Sequence, residues 1–430
     1  MKNHHSTRQH TENQHSPRRY AENHHLPRQY AENLLIMEDG NGVRIRDAGG
    51  KEYLDFASGI AVNSLGYGRK DFAHILASQA EKLMHTSNLF TSRPTLELAA
   101  KLCSSSPIPE DQPWESGKNP AYFSAVHFGN SGAEANEAAL KYARLWHHRQ
   151  GRQAHMILAF HNGFHGRTMG ALSLTSEEKY RLPFHPLLPG VVFARFNDPD
   201  DMKKTIAEHP QIGAIIVEPI QGESGLNTMT ADFAAQLNTV CSTNNILLIA
   251  DEVQTGIGRC AALYASEIIG LKPDIITLSK PLAGGLPLSA TLIGAKINDL
   301  LTPGDHGSTF GGGPVSCVVA NAVWDIINAP EFLSTVRSTA EHFEQRLLNI
   351  QASFPRFFSS EVPRGLGLLR GLAVKDPSQL PLLISRAIDR GLLILRSGNN
   401  ILRFAPPLII TPDEIGEMET RLQKALGDLE

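Results

Sequence analysis

Cysteine is scarce in this chain: Cys103, Cys241, Cys260 and Cys317 are the only four in 430 residues, and no two form a C-x-x-C pair. That spacing supports neither a disulfide framework nor a zinc site, and a reducing compartment is the expectation. Long apolar runs are missing too. The strongest, such as Ile246–Ala250, fall far short of the roughly 20 residues a membrane-spanning helix needs. Charge of one sign is also lacking. With 40 Lys and Arg against 44 Asp and Glu, the net charge of −4 leaves no basic footprint for nucleic acid. Neither a P-loop nor H-E-x-x-H occurs. What is present is length for two or three domains and a 41% hydrophobic content that rules out disorder throughout. These together point to a large globular protein, a class made up mostly of enzymes.

The amino terminus stands apart. Three decapeptides run in tandem: HHSTRQHTEN (4–13), QHSPRRYAEN (14–23) and HHLPRQYAEN (24–33). The first 33 residues carry five basic and three acidic side chains and six of the 18 histidines. Almost no aliphatic residue is present to bury, so a disordered tail made by local duplication is expected. A metal-binding tract is conceivable from the histidines, but Pro and Arg interrupt it. A transit peptide would need an amphipathic apolar face that the repeat lacks.

From residue 40 on, strands and helices alternate. VRIRDA and KEYLDF around Gly49-Gly50 predict a small hairpin, and residues 70–84 and 94–103 have helical spacing. Residues 104–120 are a polar, proline-rich loop. Then AYFSAVHF, HMILAF, AIIVEPI, ILLIAD, DIITLSK and ATLIGA read as strands, with helices at 132–149 and in ADFAAQLNTVCSTNN. Continuous apolar strands between helices predict an α/β fold: a mostly parallel sheet covered on both faces. Residues 316–352 read as helical, and ILRFAPPLII as a strand near the end.

Ligands of such sheets bind at the carboxyl ends of the strands. Asp251 ends ILLIAD, Lys280 ends DIITLSK and Glu218 ends AIIVE, while GNSGAE and HNGFHGRT follow two further strands. A lysine and a carboxylate at the ends of buried strands are costly without partners, which marks a site.

Seven ordered motifs run through this frame: FGNSGAEANEAALKYAR (128–144), FHNGFHGRTMGALSLT (160–175), VEPIQGESG (217–225), LLIADEVQTGIGR (247–259), PDIITLSKPLAGGLP (273–287), HGSTFGGGP (306–314) and LRFAPPL (402–408). Through them the chain, from about Asn33 to its end, resembles the class III aminotransferases of the ornithine and acetylornithine type, which have the type I pyridoxal-phosphate transferase fold. The resemblance implies pyridoxal 5'-phosphate as cofactor and no metal. It implies a tail to residue 33, a small α+β domain built from both chain ends (34–92 and 316–430) and a large cofactor domain over 93–315. A cytoplasmic homodimer with shared active sites is expected, with small-molecule substrates and no nucleic-acid or membrane partner.

The residue roles it implies have physical reasons. Lys280 would form a Schiff base with the cofactor aldehyde and then act as base, which needs a neutral amine. Asp251 would keep the pyridine nitrogen protonated so that the ring draws electrons. Val253 would lie on one ring face, Gln254 near the ring hydroxyl, and Phe164 would stack on the ring. Ser131, Gly132 and Ala133 open a helix, where amides and the dipole favour phosphate, although Ser131-x-x-Glu134 also reads as a capping box. Ser308 and Thr309 would reach the phosphate bound by a neighbouring subunit. Arg167 would take the α-carboxylate and Arg403 the second carboxylate of glutamate or 2-oxoglutarate, since a guanidinium is bidentate toward carboxylates. Glu223 would cover Arg403 while an ω-amine is bound. His161 and His165 read as satisfied structural histidines.

Ile60 stands where relatives acting on free ornithine carry tyrosine. An apolar group there suits an acylated amine, because a buried ammonium without a partner is costly. The expected reaction is transfer of the ω-amino group of N²-acetyl-L-ornithine to 2-oxoglutarate. KPLAGGLP, Gly313 in GGGP, Ser224 in QGESG and Tyr67, where histidine is usual, depart from the acetylornithine pattern. Succinylornithine, ornithine, 4-aminobutyrate or acetyl-lysine are the alternative donors. An aminomutase or a non-catalytic descendant would share the fold. GIGRCA (256–261) approximates a dinucleotide motif, which would instead mean a nicotinamide oxidoreductase, but its place soon after Asp251 fits the aminotransferase loop better.

Overall fold

The computed structural model describes residues 35–108 and 122–429. The decapeptide repeats and most of the proline-rich segment after residue 108 lie outside the described residues. Near the amino terminus the expected hairpin is a three-stranded meander of β1 (Met37–Asn41), β2 (Arg44–Asp47) and β3 (Glu52–Asp55). The β1–β2 turn needs Gly42 at φ +56°, a left-handed conformation glycine adopts without steric cost.

The large sheet contains β4 (Ala125–Gly129), β5 (Met156–Phe160), β6 (Val191–Ala194), β7 (Ile212–Val217), β10 (Leu247–Asp251), β11 (Ile275–Leu278) and β12 (Ser289–Ile293). A short hairpin, β8 (Ile220–Gln221) with β9 (Asn227–Thr228), interrupts the chain between β7 and β10. The strand order is β4-β12-β11-β10-β7-β5-β6. Only β12 runs against its neighbours, so the sheet is mostly parallel. Every residue of β7, β10, β11 and β12 is buried, as continuous apolar runs under helices on both faces require. The helix Gly132–Arg149 presents Ala135, Ala138, Ala139 and Ala143 as a buried small-residue face.

The carboxyl-terminal part adds β13 (Arg364–Leu366), β14 (Leu369–Ala373), β15 (Leu392–Leu393), β16 (Leu395–Ser397) and β17 (Ile401–Phe404). β15 joins the amino-terminal meander by pairing parallel with β3, so that sheet is built from both chain ends. The strand expected over ILRFAPPLII stops at Phe404, because Pro406 and Pro407 have no amide N–H for a ladder. The helical run expected over 316–352 is two helices, Pro314–Ile327 and Pro330–Ser353, divided just before Pro330.

Three buried rings join distant segments. Phe56 follows β3, Phe343 lies on the helix Pro330–Ser353 and Phe404 ends β17; their centroids are 5.7, 6.3 and 5.9 Å apart in tilted and edge-on pairs. Deleting one ring opens a cavity among the others. Phe343→Ala is expected to lower unfolding stability by about 3–5 kcal/mol. Equilibrium urea denaturation checks this, and a loss under about 1 kcal/mol would mean the rings are not a shared core.

Candidate active site

Asp251, the last residue of β10, is buried at the carboxyl edge of the large sheet. Its Oδ2 accepts from Asn136 Nδ2 at 2.7 Å and faces His165 Nδ1 at 2.8 Å, while Oδ1 accepts the Val253 amide at 3.1 Å. Asn136 is itself fixed: it donates to the His165 carbonyl at 2.8 Å and accepts from Thr277 on β11 at 2.8 Å. Burial alone would keep His165 neutral, but the hydrogen bond to Asp251 and the charges of Asp251 and Glu218 outweigh it and raise its pKa. The buried carboxylate therefore has the donors it needs to stay in place.

Glu218, just past β7, accepts from the amides of Phe164 at 2.8 Å and Gly222 at 3.3 Å. Burial first, and then the Asp251 charge, push it up to about 7 against the opposing pull of His165 and these amides. Lys280 lies two residues beyond β11. Among the described residues it makes no hydrogen bond or ion pair. Burial lowers its pKa; Glu223 and Asp251 oppose this and Arg403 adds to it. Its amine is therefore uncharged more readily than that of an exposed lysine.

The loop before the helix Gly132–Arg149 closes against the same centre. A Cβ at Gly132 would sit 2.6 Å from Val253 Cγ1, and one at Gly166 would sit 2.7 Å from Ala133 Cβ. Only glycine permits these approaches, so Ser131–Ala133, the Phe164–Arg167 loop and the Asp251–Gln254 turn come together. Ser131 caps the helix by accepting the Glu134 amide. The expected box is not formed, because the Glu134 carboxylate accepts from the Asn130 amide and side chain rather than from Ser131. The first amides of a helix have no partner within it and suit a phosphate.

These residues fit pyridoxal phosphate on an observation independent of the resemblance. Gln254 Oε1 is buried and has no donor among the described residues, and a ring hydroxyl would supply one. The Asp251 carboxylate and the Lys280 amine provide the remaining chemistry such a ring needs: an acceptor for its protonated nitrogen and a nucleophile for its aldehyde.

Arg403, on β17, is buried and pairs with Glu223 at 2.6 Å, while donating to the Gly222 carbonyl at 2.9 Å. Ser397 ties down the same loop: its hydroxyl donates to the Gly222 carbonyl and accepts the Gly225 amide, both at 2.7 Å. Burial works against the Glu223 charge, but Arg403, and then Lys280 and Gln254, hold its pKa low. Arg167 is exposed and held by rings: its guanidinium carbon lies 3.9 Å from the Tyr180 ring centroid and 5.5 Å from that of Phe164.

Ile60 lies in a turn of unusual conformation. Ser58, Gly59, Ile60 and Ala61 have φ of 47°, 62°, 64° and 65°. Left-handed geometry costs about 1–2 kcal/mol at each residue with a Cβ, so the surroundings must hold it. Ser308 and Thr309 lie between β12 and the helix Pro314–Ile327. Their loop is bonded to residues 88 and 95, through Asn88 to the Ser308 and Gly311 carbonyls and Thr95 to the Gly312 carbonyl.

Four residues are in the site without having been assigned to it. His165 is satisfied, as expected, but its partner is Asp251. Asn136 could have been suspected as a polar residue on the alanine face of a buried helix. Glu218 was visible only as a strand-end carboxylate, and Tyr180 gave no signal. GIGRCA does not form a dinucleotide loop: Arg259 within it is fully buried and donates to the Pro406 carbonyl and Ser64.

Comparisons with known proteins bear on the family and the fold. The family model described as aminotransferase class-III matches residues 25–426. The chain is 41% identical over 388 residues to a probable mitochondrial acetylornithine aminotransferase of Dictyostelium discoideum, covering 89% of this chain and 82% of that one. It is 40% identical over 387 residues to the acetylornithine aminotransferase of Aquifex aeolicus, covering 90% and 96%. Among solved structures, the N-acetylornithine aminotransferase of Stenotrophomonas maltophilia superposes with a TM-score of 0.78 at 32% identity over 94% of this chain and 97% of that one. The ornithine aminotransferase of Toxoplasma gondii gives 0.85 at 29% identity over 94% and 93%.

The half-buried setting of Lys280 has a measurable consequence. Attack on an aldehyde needs the neutral amine, whose fraction rises with pH, and a lowered pKa moves that rise to lower pH. Covalent capture of pyridoxal phosphate by the cofactor-free protein, followed by absorbance, is expected to have its midpoint below the ~10.4 of a free lysine. A midpoint at or above that value would show that the amine is solvated.

Proposed function

Because the chain belongs to the aminotransferase class-III family and works with pyridoxal 5'-phosphate, we propose that it moves the ω-amino group of N²-acetyl-L-ornithine to 2-oxoglutarate. The products are N-acetyl-L-glutamate 5-semialdehyde and L-glutamate, and the kinetics are ping-pong. The observation that carries this reading is the Arg403–Glu223 pair at 2.6 Å, with Arg403 buried on β17. A covered arginine lets one site accept an ω-amine first. Released, the same arginine accepts the second carboxylate of 2-oxoglutarate. The relatives named as acetylornithine aminotransferases support the donor, and so does the apolar Ile60.

When bound, the cofactor supplies an aldehyde for the amino group and a ring that withdraws electrons from the bond being broken. The protein does the rest. Asp251, held by His165 and Asn136, keeps a proton at the ring nitrogen. Lys280 Nζ takes the proton from the amine-bearing carbon of the donor. Gly132 and Ala133 offer amides to the phosphate, and Phe164, Val253 and Gln254 orient the ring. Arg167 receives the α-carboxylate.

The homodimer belongs to the same proposal. The loop of Ser308 and Thr309 lies beside exposed apolar side chains: Leu89 is 89% exposed, Phe90 72% and Phe310 67%. A second copy covering them would bring Ser308 and Thr309 to its own phosphate site. The division at residues 92 and 315 is supported by the large sheet lying within 125–293 and the two four-stranded sheets drawing on 37–55 and 364–404; the boundary at 33 follows the end of the third decapeptide. A cytoplasmic location is supported by the free cysteines among the described residues. Some relatives are named as mitochondrial, and cell fractionation decides between the two. No helix among the described residues is long and apolar enough to cross a membrane.

The test is a donor panel on the purified holoenzyme with 2-oxoglutarate: acetylornithine, succinylornithine, ornithine, 4-aminobutyrate and acetyl-lysine. Acetylornithine is expected to give the highest kcat/KM, Lys280→Ala to abolish turnover, and light scattering to give the mass of two chains. Turnover surviving in Lys280→Ala would overturn the mechanism. Preference for another donor would overturn the substrate.

A further inference from the structure

The left-handed turn at Ser58–Ala61 is closed by backbone bonds from Ala61 to Ala57 at 3.0 Å and from Val62 and Asn63 to Ser58 at 2.8 and 2.9 Å, and the amides that open it converge on one carboxylate. Asp55, buried at the end of β3, accepts the Ala57 amide at 2.7 Å and the Ser58 amide at 2.9 Å on Oδ1. Its Oδ2 accepts from the Tyr67 hydroxyl at 2.6 Å, and Asn63 Nδ2 donates to that hydroxyl at 3.3 Å. Across the turn, Ser58 Oγ donates to the Ala405 carbonyl at 2.7 Å, two residues beyond Arg403. Ala61 packs with Ile220, Leu226, Ile401 and Ala405, the hairpin and strand that flank Glu223 and Arg403. Asn63 Oδ1 lies 3.1 Å from where a Cβ on Gly285 would be, in the loop that follows Lys280. The turn is thus fastened to the segments carrying Arg403 and Glu223, with the loop after Lys280 close to Asn63 beside it, and it leaves Ile60 45% exposed.

We propose that Tyr67 and Asp55 are positioning residues for donor selection: they lock the left-handed turn so that Ile60 is presented to the donor's acylated amine. This rests on the reading of Ile60 given above and extends it to two residues that touch neither substrate nor cofactor. The physical reason is the conformation itself. Ser58, Ile60 and Ala61 prefer other backbone regions, so a turn freed from Asp55 relaxes away from left-handed geometry and moves Ile60 with it. Tyr67 is needed because the Asp55 carboxylate is buried, and its second oxygen has to be satisfied for the first to be aimed at the turn. Histidine at position 67 can donate a hydrogen bond as well, so it can stand in for the tyrosine as donor.

The test uses the holoenzyme and the ratio of kcat/KM for acetylornithine to that for ornithine. Tyr67→Phe is expected to lower this ratio about tenfold, through KM for acetylornithine, with kcat and the KM for 2-oxoglutarate changed by less than about twofold. Tyr67→His is expected to restore the ratio. Ile60→Ala is expected to lower it similarly, and adding Tyr67→Phe to Ile60→Ala to change it no further. If Ile60→Ala lowers the ratio and Tyr67→Phe does not, the positioning role is wrong and the Ile60 reading stands. If Ile60→Ala leaves the ratio unchanged, both fail. A fall in thermal midpoint for Tyr67→Phe without any change in the ratio shows a structural role only and overturns the proposal.

Discussion

The hydrogen bonds from Asn136 and His165 to Asp251 are the constraint on which the site depends. A carboxylate at the end of a buried strand is expensive unless donors surround it. Here the donors come from two elements, the helix after β4 and the loop after β5. Thr277 on β11 extends the chain of bonds through Asn136. Two strands, one helix and one loop are thereby set around one anionic oxygen pair. The glycines at 132 and 166 then allow the helix start and the Phe164–Arg167 loop to close on the Asp251–Gln254 turn.

Charge balance follows from that placement. The charge of Asp251 bears on the protonation of Glu218 and Lys280, and that of Arg403 on the protonation of Glu223 and Lys280. Lys280 is the member without a hydrogen bond among the described residues. It is therefore the group free to react, while the acids and arginines have fixed partners. Arg403 is the exception by degree: its partner is one carboxylate on a short hairpin, a contact that a substrate carboxylate can replace.

Much of the sheet could be read from sequence because its signals are local. Parallel strands buried on both faces are runs of Ile, Leu and Val, and β7, β10 and β11 stand where those runs are. The helix Gly132–Arg149 begins where Ser131 caps it, as its spacing predicted. Long-range pairing was not legible. The parallel contact of β15 with β3 joins residues 392 and 54 and leaves no pattern in either segment. In the site, Lys280 and Asp251 were visible because charge at a strand end is unusual. His165 and Asn136 were not, since their roles depend on what lies across from them. The left-handed turn was hidden for another reason: only Gly59 of its four residues favours that conformation, and part of what holds it comes from Asp55, backed by Tyr67, and from the Ala405 carbonyl.

The most direct measurement of the central claim is the turnover of holoenzyme carrying Asp251→Asn. Asparagine keeps the shape and can still meet His165 and Asn136, but it cannot hold a proton on a ring nitrogen. The account predicts that Asp251→Asn still captures pyridoxal phosphate at Lys280 while transamination falls by about a thousandfold or more. Turnover within about tenfold of the wild type would contradict it.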